Sequence, residues 1–178
     1  MKIKNIPHFF FIVNFNQDRM WRKNRGTSKT LLNILSNCRG VDLNRNFAFN
    51  WGEDLDLLRA NAGTPLPCLE TFIGDTAFSE AESQAVRNVV LRYRHRMVAY
   101  LSYHSFGQKI LYPWSFTVDK VPDWTELHHM ANTLAAGIYD ASGGQSFYKI
   151  GKLSVMYIYQ TKAYPLLSIV KVPQQTFR

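Results

Sequence analysis

The strongest constraint on the fold is an alternation. Short apolar runs suited to strands change places with two stretches whose apolar residues recur at helical spacing. In the first stretch, Ala85, Val86, Val89, Val90 and Tyr93 fall on one helical face. Ser79 and Glu82 have the S-x-x-E spacing of a capping box, and Arg92, Arg94 and Arg96 lie at the end where the helix dipole favours cations. The second stretch opens at Asp123 with Glu126 behind it. It lines up Leu127, Met130, Ala131, Leu134, Ala135 and Ile138, and stops at Gly143-Gly144. Residues 97–103 and Lys109–Tyr112 read as buried strands, the second ended by Pro113. Residues 8–15 read as another strand, and the tail from 145 onward has strand-like pieces broken by Pro165 and Pro173. Strands alternating with amphipathic helices predict an α/β fold, a mixed β-sheet flanked by helices.

Composition narrows the class. A chain of 178 residues can bury the core of a single domain, and 14% aromatic residues exclude a disordered chain. The longest apolar run, residues 9–13, falls far short of the ~20 needed to cross a bilayer. The N-terminus makes a poor signal peptide. Its apolar stretch is brief, Pro7 sits at its start, and no small-residue cleavage site follows. Lys and Arg number 21 against 13 Asp and Glu, a net charge of +8 that suits acidic ligands or nucleic acid. Asp140 is the last acid, so residues 141–178 carry no carboxylate side chain. Cys38 and Cys68 fit either one disulfide or two free core thiols.

Few residues invite chemistry. Of the five histidines, His104 stands apart because it ends an apolar strand, where ligands gather in open α/β sheets. Glu126 and His129 share a helix face at i, i+3 spacing, which a solvated surface explains as well as a metal does. The run Arg19, Arg22, Lys23, Arg25 has the composition of a nucleic-acid patch. Asn44-Arg45 within VDLNRNF is less ordinary, since a guanidinium beside an amide donor can hold a carboxylate.

Taken in order, DRMWRKNRG, CRGVDLNRNF, PCLETFIGDTAFSEAES and LSYHSFGQKILYPW resemble the zinc metallocarboxypeptidases of the carboxypeptidase A and B type. The resemblance runs from about residue 18 to about residue 159. It implies a zinc exopeptidase fold and a hydrolase that removes C-terminal residues from peptides and proteins. By this resemblance His104 is the third zinc ligand, and Arg22 polarises the scissile carbonyl. Arg19 lies further out in the cleft, and Asn44 with Arg45 clamps the terminal carboxylate. Tyr159 or Tyr157 covers the substrate, and Cys38 and Cys68 match a disulfide of secreted members, which implies an extracellular protein. The acidic partner of the positive charge is then a peptide C-terminus, with neither nucleic acid nor membrane required.

The departures are as specific. No histidine here is followed three residues later by glutamate, so the family's H-x-x-E pair of zinc ligands has no counterpart. The family's general-base glutamate belongs after the YQ-like segment, where this chain has no acid. One histidine does not make a catalytic zinc site, which takes three protein ligands. Residues 1–14 and 161–178 are unlike the family. The expectation is therefore a single partial peptidase domain over residues 1–178, truncated at both ends, inactive on its own and not retaining zinc. A non-catalytic binder of peptide C-termini is the alternative, with a basic nucleic-acid-binding domain behind it.

Overall fold

The computed structural model describes residues 20–26, 37–53, 63–105, 107–114, 117–152 and 165–171. The strand expected at 8–15 lies outside these residues. The chain divides into two compact units, Met1–Asn88 and Val89–Arg178.

In the first unit, three irregular segments are stitched together by backbone hydrogen bonds. Asn24 N donates to Val41 O (3.0 Å), Asp42 N to Phe72 O (2.9 Å) and Ile73 N to Thr64 O (3.0 Å). Among the described residues of this unit, Val41, Phe72 and Ile73 are buried apolar side chains and Lys23, Asn24, Asp42, Asn46, Thr64 and Ser83 are buried polar ones. Satisfied polar groups and a covalent closure thus share in holding it. The closure is a disulfide between Cys38 and Cys68, with Cα atoms 5.0 Å apart and 30 positions between the two cysteines. Restricting the unfolded chain by such a loop is worth roughly 3–4 kcal/mol, and substitutions commonly realise less. Replacing both cysteines with serine is expected to lower the unfolding free energy by about 2–3 kcal/mol in a urea titration. An unchanged midpoint would show that the bond constrains nothing.

Helix α1, Ala81–Tyr93, begins one residue later than a capping box at Ser79 requires. Ser79 and Glu82 are engaged elsewhere. The Ser79 hydroxyl accepts from Asn46 Nδ2 (2.9 Å) and donates to Glu80 Oε1 (2.8 Å), while Glu82 Oε2 accepts from Asn24 Nδ2 (3.3 Å). Glu80 takes the cap position, its carbonyl accepting from Gln84 N (3.0 Å). The expected apolar face of α1 is not covered as a whole, since Ala85 and Val89 are exposed while Val86, Val90 and Tyr93 are half-buried.

Among its described residues, the second unit holds a four-stranded mixed sheet and a long helix. Its strands are β1 (Ala99–Ser105), β2 (Lys109–Tyr112), β3 (Lys149–Lys152) and β4 (Pro165–Lys171), in the order β1-β4-β2-β3. β2 runs parallel to β3 and β4, and β4 runs antiparallel to β1. Helix α2, Trp124–Ala141, supplies Leu127 and Ala131 to a core with Ile110, Tyr112 and Val121. Met130, Leu134, Ala135 and Ile138 pack around them, so all six expected positions face the core. Asp123 occupies the N-cap, although its side chain does not make the capping bond. The helix ends where Gly143 and Gly144 take positive φ and Gly144 N reaches back to Tyr139 O (2.9 Å). β1 differs from expectation. It lies at the sheet edge, with Leu101 41% and Tyr103 78% exposed, and so is not a buried strand. No helix among the described residues is long and apolar enough to cross a membrane.

Candidate functional site

The site is best built from Asp42. Residues 43–45 form a single 3-10 turn, so Asn44 and Arg45 leave strand geometry and escape the alternation that would send them to opposite faces. Asp42 caps this turn, its Oδ1 accepting from Asn44 N (3.1 Å). Its other oxygen, Oδ2, takes Arg22 Nε (2.9 Å) and Nη2 (2.8 Å). The carboxylate is 3% exposed and the guanidinium 44%, so the acid is the anchor and the base the arm. Arg22 and the backbone of the turn that carries Asn44 and Arg45 thus meet at one buried carboxylate in the first unit. Arg45 Nη1 also donates to Asn44 O (3.1 Å), which curls the side chain back along its own turn.

The turn rests on Asn46, whose side chain is fully buried. Its Nδ2 donates to Ile73 O (2.9 Å), Thr76 O (3.0 Å) and Ser79 Oγ (2.9 Å), and its Oδ1 accepts from Glu80 N (3.2 Å) and Ser83 Oγ (2.6 Å). One amide therefore ties the turn to the segment ahead of α1 and to the first turn of the helix.

The basic run is only partly in solvent, since Arg22 and Arg25 are exposed and Lys23 is not. Lys23 is buried and donates to Pro67 O (2.7 Å), and desolvation lowers its pKa against the opposing pull of Glu70 and Asp42. Arg25 lies over the Trp21 ring (4.5 Å), and Arg22 is bound to Asp42. A phosphate-tracking surface needs its cations in solvent, so a nucleic-acid reading of this segment loses Lys23 outright. Arg19 lies outside the described residues.

His104 belongs to the second unit. It sits within β1, half-buried, with Nε2 3.0 Å from Ser102 Oγ on the same strand face. Glu126 and His129 are exposed on α2. His128 is spoken for, with Nδ1 3.0 Å from the buried Tyr112 hydroxyl and its ring stacked on Trp124 at 5.2 Å. Among the described residues, no three His, Cys, Asp or Glu side chains gather as a metal-binding group. The donor set present therefore does not fit a three-ligand zinc site. Tyr157 and Tyr159 lie outside the described residues.

Asp42 and Asn46 are absent from the sequence-derived site. Asp42 carried a signal, because an Asp two residues before the residue whose amide it accepts is an Asx turn. Asn46 carried none, since a buried asparagine and a surface one look alike in sequence.

The sequence profile of the zinc carboxypeptidases matches residues 11–164. Carboxypeptidase B of Astacus astacus is 32% identical over 166 residues, covering 84% of this chain and 51% of that protein. Carboxypeptidase A1 of Bos taurus is 34% identical over 150 residues, covering 84% of this chain and 32% of that protein. The crystal structure of a carboxypeptidase A from Helicoverpa armigera superposes with a TM-score of 0.64 at 34% identity, over 83% of this chain and 33% of the other. The chain thus spans about half the length of the first of these relatives and about a third of the others. β4 begins directly after the last residue that the profile matches.

Proposed function

Because the chain belongs to the zinc carboxypeptidase family, we propose that it comes from a metallocarboxypeptidase, an exopeptidase that hydrolyses the C-terminal bond of peptides and proteins. Its 178 residues carry the half of that machinery that recognises the substrate's terminal carboxylate. The observation behind this reading is the Arg22–Asp42–Asn44 arrangement. One buried carboxylate holds the turn that carries Asn44 and Arg45, read as the clamp on a terminal carboxylate, and grips Arg22, read as the residue that polarises the scissile carbonyl. In this reading Asn44 and Arg45 bind the carboxylate and Arg22 acts on the carbonyl. Arg19 adds a contact further out, Tyr157 or Tyr159 covers the substrate, and His104 is the family's third zinc-ligand position. Residues 1–178 form one partial peptidase domain. Partners are peptide or protein C-termini, and the Cys38–Cys68 bond supports an oxidising, extracellular setting.

When bound, the family's metal supplies an activated water at neutral pH. The sequence has no H-x-x-E pair, and the described residues hold no group of three metal ligands. The 178-residue chain is therefore expected to keep no stoichiometric zinc through dialysis and to release no C-terminal residue from peptides. Metal analysis and an exopeptidase assay with added zinc test this directly. Retained zinc together with metal-dependent turnover would overturn the inactive reading. The binding half has its own test. An acetylated dipeptide with a free carboxylate is expected to bind, and the same dipeptide amidated at its C-terminus is not. Equal behaviour of the two probes would remove the carboxylate-recognition reading.

A further inference from the structure

The two oxygens of Asp42 are committed to different jobs. Oδ2 accepts from Nε and Nη2 of Arg22, a side-on grip that fixes the plane of the guanidinium. A guanidinium has five N–H donors in a rigid fork, so this grip uses one edge and leaves the Nη1 edge directed away from the acid. Oδ1 accepts from Asn44 N and so sets the turn that carries Asn44 and Arg45. The carboxylate itself is buried, so neither oxygen is available to solvent cations. Burying one carboxylate between two functional elements is costly unless both bonds form together.

We propose that Asp42 is the positioning residue of the substrate-binding half, setting the orientation of the carbonyl-polarising Arg22 and the conformation of the carboxylate-clamping Asn44–Arg45 turn through one buried side chain. This deepens the reading proposed above and rests on it for the identity of the ligand. Asp42 does not touch the substrate. It fixes the angle between the donors that do, so its loss disorders both arms at once. Loss of the Arg22 side chain, by contrast, leaves the turn intact.

The test uses the full 178-residue chain, labelled with 15N, and the Asp42→Asn, Asp42→Glu and Arg22→Gln variants. Without any ligand, the wild type is expected to show a resolved, slowly exchanging Arg22 Nε–H signal and a protected Asn44 amide. In Asp42→Asn the Arg22 signal should merge with those of free arginines, and Asn44 exchange should rise about tenfold or more. The Thr64 and Ile73 amides of the same unit should keep their protection, showing that its fold survives. Arg22→Gln should leave the Asn44 amide protected. Asp42→Glu keeps the charge but moves it outward, and should restore neither arm fully. If both the Arg22 signal and the Asn44 protection persist in Asp42→Asn, the positioning role is wrong. If Asn44 exchange rises equally in Arg22→Gln, the two arms are not separately held by Asp42 and the proposal also fails. The acetylated dipeptide and its C-terminal amide form the second arm. Where the wild type prefers the carboxylate, Asp42→Asn should lose that preference about tenfold. Where the wild type shows no preference, the recognition reading falls, and the ligand-free signals alone decide the role of Asp42.

Discussion

Replacing Asn46 with alanine is expected to destabilise the protein by about 4 kcal/mol, a very large effect for a polar residue. The reason is what the substitution leaves behind. Asn46 is fully buried, and its amide serves Ile73 O, Thr76 O and Ser79 Oγ as donor, and Glu80 N and Ser83 Oγ as acceptor. Removing it strands groups that water reaches poorly, each at a cost of about 1–3 kcal/mol, offset where a water enters the space. Asn46→Asp tests the same point differently. It preserves shape but turns the donor end into an acceptor facing two carbonyls, so it should do no better than alanine. Asn44→Ala is the control, because Asn44 is exposed and should shift stability by less than about 0.5 kcal/mol. Urea unfolding of the three variants reads the comparison. Equal midpoints for Asn44→Ala and Asn46→Ala would show that the buried network does not hold the turn.

Gly40→Ala should be comparably damaging, at about 3–5 kcal/mol. Gly40 has φ +80°, and a Cβ there would run into the backbone carbonyl oxygen of Asn24. Backbone cannot swing aside as a side chain does. The bonds Gly40 N to Gly26 O and Asn24 N to Val41 O, both 3.0 Å, pin the two segments on either side of the contact. Gly52 separates the steric effect from the conformational one. Its φ is +77°, yet a Cβ there would meet nothing within 4 Å. Gly52→Ala should therefore cost only the left-handed penalty of about 1–2 kcal/mol. If the two alanine variants unfold at the same denaturant concentration, the close approach at Gly40 is not what glycine is needed for.

These two positions also show where sequence reasoning reached and where it stopped. α2 was legible because its six apolar residues obey one period and its end carries Gly143-Gly144, both local signals. β2 was legible because four apolar-compatible residues stop at a proline. The start of α1 was misjudged for a tertiary reason. Ser79 has the right spacing for a cap, but Asn46, distant in sequence, takes its hydroxyl. Lys23 was misjudged in the same way. A basic run suggests solvent, while the carbonyl of Pro67 waits inside the unit. β1 looked buried because its sequence is apolar, and edge position is a property of the sheet that no strand's own residues announce. The reading of Asn44, Arg45 and Arg22 as site residues rests on ordered motifs rather than on any one of them. The residue that joins them, Asp42, sat in the same motif with its Asx spacing in plain view.

The strand order carries one more consequence. β1 and β2 are neighbours in sequence but not in the sheet, because β4 lies between them. A growing polypeptide makes β1, β2, α2 and β3 first and holds β1 without its partner until Lys171 has been added. On the ribosome, among the described strands, β1 and the side of β2 that will meet β4 therefore stay unpaired for as long as translation of the intervening residues lasts. A chaperone that shields extended backbone has its window there. Slowing translation between residues 152 and 165 lengthens that window, and faster translation shortens the time in which a wrong strand can enter the gap.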